Sequence, residues 1–479
     1  MRLAWFSPMP PVPSGIAACS AELVGELRRR HQIDVYVDAT PEAAAPGADS
    51  AHEFVWRHRI NPYDLTVYQV GNSSHHDYLW PYLFRYPGLT VLHDAHLHHA
   101  RAAQLLRTKR AAHYRAEFAA NHPRVHPDLA ELAVAGFDNH LYYSWPMTRL
   151  VIQASRLTAV HAETIARELK ADLPDAAITS VRLAHGTPIP EGAARRARER
   201  VRGTYGLNND HVVFGVFGGL TPEKRIPQIL EAFTAVLPYA PTAHLLLAGA
   251  EARHYDVAAD VRGHGLESRV TITGYVDTDE ALTACIAACD VSLNLRWPTA
   301  REMSGPWLRA LAAGRPTITV DLAHLADVTS VDPRTWKVNG LATRDSRLAA
   351  RPDPSNRDPS RASGSSRALS RDEPRNANRD VLEPVCVAID ILDESHSLRL
   401  AMRRLATDEE LRASLGAAGR HYWEREHSMP RMLEDYDRIL ADAAGRPAPR
   451  VTVPEHLVTN GDRLLKEVLG ELAVGAVWE

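Results

Sequence analysis

The chain predicts an α/β protein of two tandem doubly wound domains. Three observations carry this. Short apolar runs alternate with helical patterns from the N-terminus. The same alternation restarts near residue 212 after a Pro-, Glu- and Arg-rich passage at 188–202. The length, 479 residues, suits two domains plus extras.

In the first half, residues 3–6 read as a strand, followed by a proline-rich loop ending at Ser14-Gly15 and a helix over 16–30. Residues 33–37, 65–70 and 89–92 read as buried strands of a parallel sheet. The second series runs through 212–217, 244–248, 270–273, 291–295 and 317–320. A short helix beginning at Pro306 runs through Ala313 and ends at Gly314. Residues 344–380 break the pattern. They hold nine arginines, two leucines and no aromatic residue, a composition that predicts a disordered insertion. Structure is expected to resume near 384, with helices at 398–405, 409–426 and 430–443 and one near 463–472. The expected domains are 1–190, 191–428 with the insertion inside it, and 429–479 as a C-terminal helix and tail. Ligands then belong in a central cleft, at the carboxyl ends of the strands.

Hydrophobic content of 45% and charged content of 24% are those of a soluble globular chain. A net charge of −4 argues against nucleic acid as a partner. No apolar run is long enough for a membrane helix, and the proline-rich N-terminus does not read as a signal peptide. The reading is cytoplasmic, with room for peripheral contact at an inner membrane face. Cys285 and Cys289, one helical turn apart, read as core rather than metal or disulfide.

Six loops carry chemistry. At Glu302-Met303-Ser304-Gly305, a carboxylate stands before a helix N-terminus, where backbone N–H groups favour anionic oxygen. A hydroxyl-bearing group joined to an anion, such as a sugar on a diphosphate, fits both. Gly218-Gly219, with Lys224 and Arg225 behind them, bring backbone and positive charge to the end of the 212–217 strand. His93-Asp94 end the 89–92 strand, and His96, His98 and His99 follow; Asn72, Ser73 and His75 end another strand. Ser14-Gly15 open the first helix, and Tyr275 follows Gly274 as an aromatic edge for a nucleotide base.

In this order the pieces resemble a family 4 glycosyltransferase of the GT-B fold over most of residues 1–445. The resemblance also uses Ala184-His185-Gly186 and the stretch from Glu302 to Pro316. It implies retaining transfer from a nucleotide-sugar donor held by the C-terminal domain. The acceptor, whether a lipid, a polysaccharide or a small molecule, sits on the N-terminal one. No cofactor and no catalytic metal are implied, and the last helix returns to the N-terminal domain. His93, Lys224 and Glu302 are then the catalytic set. Gly218, Gly219, Arg225, Tyr275, Ser304, Gly305 and Arg309 serve the donor. Ser14, Gly15 and Asp94 lie on the acceptor side. The family usually has a second glutamate, the ribose partner, where this chain has Arg309, and an arginine where it has Gly219. Arg225 or Arg309 is expected to supply the missing charge. The competing readings are a nucleotide-sugar epimerase or hydrolase on the same fold, a metal-dependent hydrolase built on His93, His96 and His98, and a non-catalytic sugar-nucleotide binder.

Overall fold

A computed structural model describes residues 1–40, 43–137, 141–322, 327–339 and 383–459. The insertion expected over 344–380 and the helix expected near 463–472 lie outside them. The chain divides into two compact units. The first comprises Met1–Gly186, Trp297–Leu308 and Glu424–Glu479; the second comprises Thr187–Arg296 and Arg309–Trp423.

The first unit is built on seven strands: β1 (Arg2–Phe6), β2 (Gln32–Val37), β3 (Asp49–Ser50), β4 (Leu65–Val70), β5 (Leu89–Leu92), β6 (Leu157–Val160) and β7 (Ile178–Ser180). Their order is β3-β2-β1-β4-β5-β6-β7, and every pair is parallel. The order reverses between β1 and β4, so the loops after these strands diverge to opposite faces and leave a crevice there. β4 and β5 are buried along their whole length, with the polar Thr66, Gln69 and Thr90 buried too, so they do not alternate buried and exposed positions. On one face Phe6 lies 5.2 Å from Tyr36 and 5.0 Å from Tyr68 and Phe54, ring centre to ring centre. The helix Met429–Gly445 packs against this unit. It buries Met432, Tyr436, Ile439 and Leu440 completely, and the Tyr436 ring sits 5.8 Å from Trp5.

Among the described residues the second unit holds eight strands: β8 (Val212–Phe217), β9 (Ala243–Ala248), β10 (Val270–Gly274), β11 (Val291–Asn294), β12 (Thr317–Val320), β13 (Ser330–Val331), β14 (Val338–Asn339) and β15 (Cys386–Ile389). The order is β10-β9-β8-β11-β12-β15-β13-β14. Only β13 and β14 run antiparallel. Here the order reverses between β8 and β11, which places the Gly218 loop at the switch point. The fold is thus the expected pair of α/β domains. Two details differ. The helix after β11 spans Gly305–Ala312, one residue ahead of the expected start at Pro306; Ser304 accepts from the Trp307 N–H and caps it. The segment Trp297–Leu308, with Glu302, belongs to the first unit, whereas its order in the chain puts it with Lys224.

Cys19, Cys285, Cys289 and Cys386 are buried and free, and the Cys289 thiol donates to the Cys285 carbonyl at 3.3 Å. Among the described residues no helix is long and apolar enough to cross a membrane.

Candidate active site

A pocket of about 280 Å³ opens in the first unit at the β1–β4 switch point. Five separate stretches of sequence line it: Ser14 to Ile16, Asn72 and Ser73, His93 and Asp94, Leu183 and His185, and Glu302 to Gly305. Each is placed by the end of an element. Ser14 caps the helix Gly15–Leu27 by accepting from the Ile16 N–H. The Asp94 carboxylate accepts from the Asn72 N–H at 2.7 Å, and Asn72 Oδ1 accepts from the Ala100 N–H, which ties the loop after β4 to the loop after β5. Glu302 is held by the Thr299 hydroxyl, which donates to it at 2.8 Å. Arg301 adopts a left-handed φ of 62° and is anchored by an ion pair with Glu168.

Gly305 begins its helix directly against His185. A Cβ added at Gly305 would stand 2.9 Å from the imidazole Cδ2, so this position takes no side chain. The helix start is poorer in anion-binding donors than its sequence suggests. Pro306 has no N–H, and the Trp307 N–H already serves Ser304.

His93 lines the same pocket, yet both of its ring nitrogens are engaged within the protein. Nε2 lies 2.8 Å from Gln69 Oε1, and Nδ1 lies 3.1 Å from His161 Nε2. Burial holds its pKa well below the ordinary histidine value, and the neighbouring His161, His76 and His185 push the same way. His93 therefore forms part of the pocket wall, without a nitrogen to spare for a substrate proton.

The histidines after it do not converge. His98 is fixed by the Trp145 carbonyl at 2.7 Å and the Tyr114 hydroxyl at 2.8 Å. His96 is held near the Ala300 carbonyl through its backbone N–H. Burial, then the charge of Arg301, lower the His96 pKa to about 4. Among the described residues no three His, Cys, Asp or Glu side chains are grouped so as to hold a metal ion. The reading of His93, His96 and His98 as a ligand set thus finds no support in their positions.

The remaining candidates belong to the second unit. Gly218 has a φ of 83°, which glycine adopts at no steric cost. Its N–H donates to Ala248 and the Leu220 N–H to Ala250, so the loop runs beside the end of β9. Gly249 is the unforeseen partner. A Cβ there would lie 2.1 Å from the Gly218 carbonyl oxygen, and nothing in the local pattern marks this close approach. The Lys224 ammonium donates to the Phe217 carbonyl, which folds its positive charge back over the end of β8. Arg225, at a φ of 61°, pairs with Glu394, its Nε donating at 2.7 Å. Arg309 is almost buried and pairs with Asp279 at 2.9 Å. Both guanidinium groups expected to supply spare charge are thus matched by carboxylates of their own unit. Tyr275 is 65% exposed beyond the end of β10.

Residues 211–350 match a family model described as Glycosyl transferases group 1. The chain thus carries a glycosyl transferase domain and is an enzyme of that class. Solved structures of similar fold include sucrose-phosphate synthase from Thermosynechococcus elongatus, at 13% identity, covering 92% of this chain and 99% of that one with a TM-score of 0.56. Anabaena HepE in complex with UDP-glucose is similar at 12% identity, with coverage of 92% and 99% and a TM-score of 0.56. A glycosyltransferase from Rickettsia africae is similar at 11% identity, with coverage of 93% and 99% and a TM-score of 0.55. At such identities the likeness is one of fold, and that fold is GT-B. No curated protein matches the chain in sequence.

Proposed function

We propose that the enzyme moves a sugar from a nucleoside diphosphate donor to an acceptor hydroxyl, with retention at the anomeric carbon and without a metal, in the manner of family 4. The observation that carries this is the pocket at the β1–β4 switch point, where Asp94, His185 and Glu302 gather beside two helix starts. A carboxylate held by a neighbouring hydroxyl, beside buried imidazoles, suits a polyhydroxyl ligand better than a free anion.

Glu302 orients hydroxyls of the transferred sugar. Asp94, with Ser14 and Gly15, positions the acceptor. His93 shapes the wall and takes no proton. On the second unit, Gly218 and Gly219 offer backbone to the diphosphate. Lys224, released from the Phe217 carbonyl, offsets charge that grows on the leaving phosphate oxygen. Tyr275 faces the base. Arg309, paired with Asp279, orders the end of its helix rather than meeting ribose. The C–O bond to the diphosphate breaks and the anomeric carbon becomes cation-like. The acceptor oxygen then bonds from the same face, and a phosphate oxygen takes its proton. The similarity to a HepE structure holding UDP-glucose makes a uridine nucleotide the first donor to test.

Lys224→Ala is expected to lower kcat at saturating donor by about 10²–10³-fold, while the protein still melts as the parent does. Full turnover in this variant would remove Lys224 from the role. Proton NMR of the fresh product gives the anomeric configuration, and an inverted product would overturn retention. Donor consumption at full rate with no acceptor present would favour the epimerase or hydrolase reading instead.

A further inference from the structure

A buried chain of hydrogen bonds runs behind the pocket wall. It starts at Tyr436 on the helix Met429–Gly445, whose hydroxyl lies 3.3 Å from Gln69 Nε2. Gln69 Oε1 lies 2.8 Å from His93 Nε2, His93 Nδ1 lies 3.1 Å from His161 Nε2, and His161 Nδ1 lies 3.0 Å from the Val181 carbonyl oxygen. Gln69, His93, His161 and Tyr436 are all at most 8% exposed, so water does not complete the pattern.

Counting protons along this chain leaves few choices. The Val181 carbonyl can only accept, so His161 Nδ1 carries a hydrogen. A neutral His161 then has a bare Nε2, which accepts from His93 Nδ1–H. A neutral His93 then has a bare Nε2, which needs a donor. Gln69 supplies one only if its amide N–H, not its oxygen, faces His93, and the Gln69 oxygen then accepts from the Tyr436 hydroxyl. With the oxygen facing His93, the imidazole pair must hold one extra proton. The network thus has two self-consistent states, which differ by one proton and by a half-turn of one amide.

We propose that Gln69 and His161 are positioning residues that hold His93 as the neutral Nδ1–H tautomer, and that the pair accepts a proton only when the Gln69 amide turns its oxygen toward His93. The surroundings favour the neutral state. Among the described residues no carboxylate hydrogen-bonds either ring. The titratable groups whose charges act on His93 are His161, His76 and His185, and His427 acts on His161. Burial lowers the His161 pKa to about 4 and that of His76 to about 4. Whatever catalytic use His93 has rests on the reading of the pocket given above, but its tautomer does not.

The test is nitrogen-15 NMR on the full chain labelled at histidine, with His93 and His161 assigned by the signals lost in His93→Gln and His161→Gln. At pH 7 both rings are expected neutral with hydrogen on Nδ1. An Nε2–H tautomer at His93, or an imidazolium at either ring, would overturn the proposal. Gln69→Glu replaces the required donor with an acceptor carrying negative charge, so the His93 titration midpoint is expected to rise by about two units or more; an unmoved midpoint would also overturn it. His161→Gln keeps an acceptor for His93 Nδ1 and should keep its tautomer, whereas His161→Leu should not. If Gln69→Glu or His161→Leu fails to fold, the parent spectrum, assigned through the two glutamine variants, decides. None of these readings needs substrate, so they fail separately from the transfer reaction.

Discussion

At the scale of single residues, the pocket is defined as much by what is missing as by what is present. Gly305 leaves the space that His185 fills. Gly305→Ala inserts a methyl into a gap with no room for it, and overpacking of this kind costs about 1–3 kcal/mol. The variant should melt lower than the parent and lose activity. The double variant Gly305→Ala with His185→Ala should recover the melting temperature without recovering activity. Equal melting of parent and single variant would show that the imidazole moves aside freely. His185 is visible in the sequence only as part of Ala184-His185-Gly186, with no spacing to mark it as a contact of residue 305. Likewise the sequence at Arg309 shows a cation and not what neutralises it. Its partner Asp279 opens a helix 30 positions away, and such pairings leave no local periodic signal.

At the scale of elements, strands and their ends are legible in the sequence, and their partners are not. Runs such as 65–70 and 212–217 are mostly apolar and do not alternate, because both faces are covered. The order of residues alone therefore marks the loops after them as ligand-facing. Strands β13 and β14 are two residues each, too short for a period to show, and β6 and β7 sit among helices that blur the alternation. The helix Met429–Gly445 is legible from its apolar spacing, but the ion pair that docks it is not. Arg182 donates to both carboxylate oxygens of Asp435 and adds its backbone N–H at 2.9 Å. Burial alone would raise the Asp435 pKa, yet these bonds hold it below the usual carboxylate range. Removing one partner leaves the other charge half-buried, so Asp435→Ala should destabilise the first unit by about 3 kcal/mol. Urea unfolding followed separately in each unit should show a lower midpoint for the first and an unchanged one for the second. An unchanged first midpoint would mean that apolar packing around Tyr436 docks the helix by itself.

At the scale of the whole molecule, buried histidines divide unequally, and this has a consequence for pH. In the first unit, burial lowers the pKa of His76, His96, His122, His161 and His427 to about 4 and that of His98 to about 3. In the second unit His244 alone among the described histidines is lowered in this way, to about 4. Each such group binds a proton more weakly folded than unfolded, where its pKa is near 6.5. The unfolded state then holds more protons between about pH 6.5 and 4, so stability rises with pH across that window. The contribution is fully present above 6.5 and is lost as pH falls through 4. Each histidine held at about 4 is worth at most about 3–4 kcal/mol on this account, and His98 at most about 5 kcal/mol. Asp77 works the other way. Burial raises its pKa to about 7, so it weakens the first unit as pH rises from 4 to 7. One carboxyl does not offset six imidazoles. The first unit should therefore lose structure before the second on acidification from pH 7 to 4.5. Near-ultraviolet circular dichroism reports this through Trp5 and Trp80 of the first unit's core. Hydrogen exchange resolves it by unit: protection in β1, β4 and β5 should fall while β8 and β9 stay protected. Simultaneous loss in both units would show that their stabilities are coupled strongly enough to hide the difference.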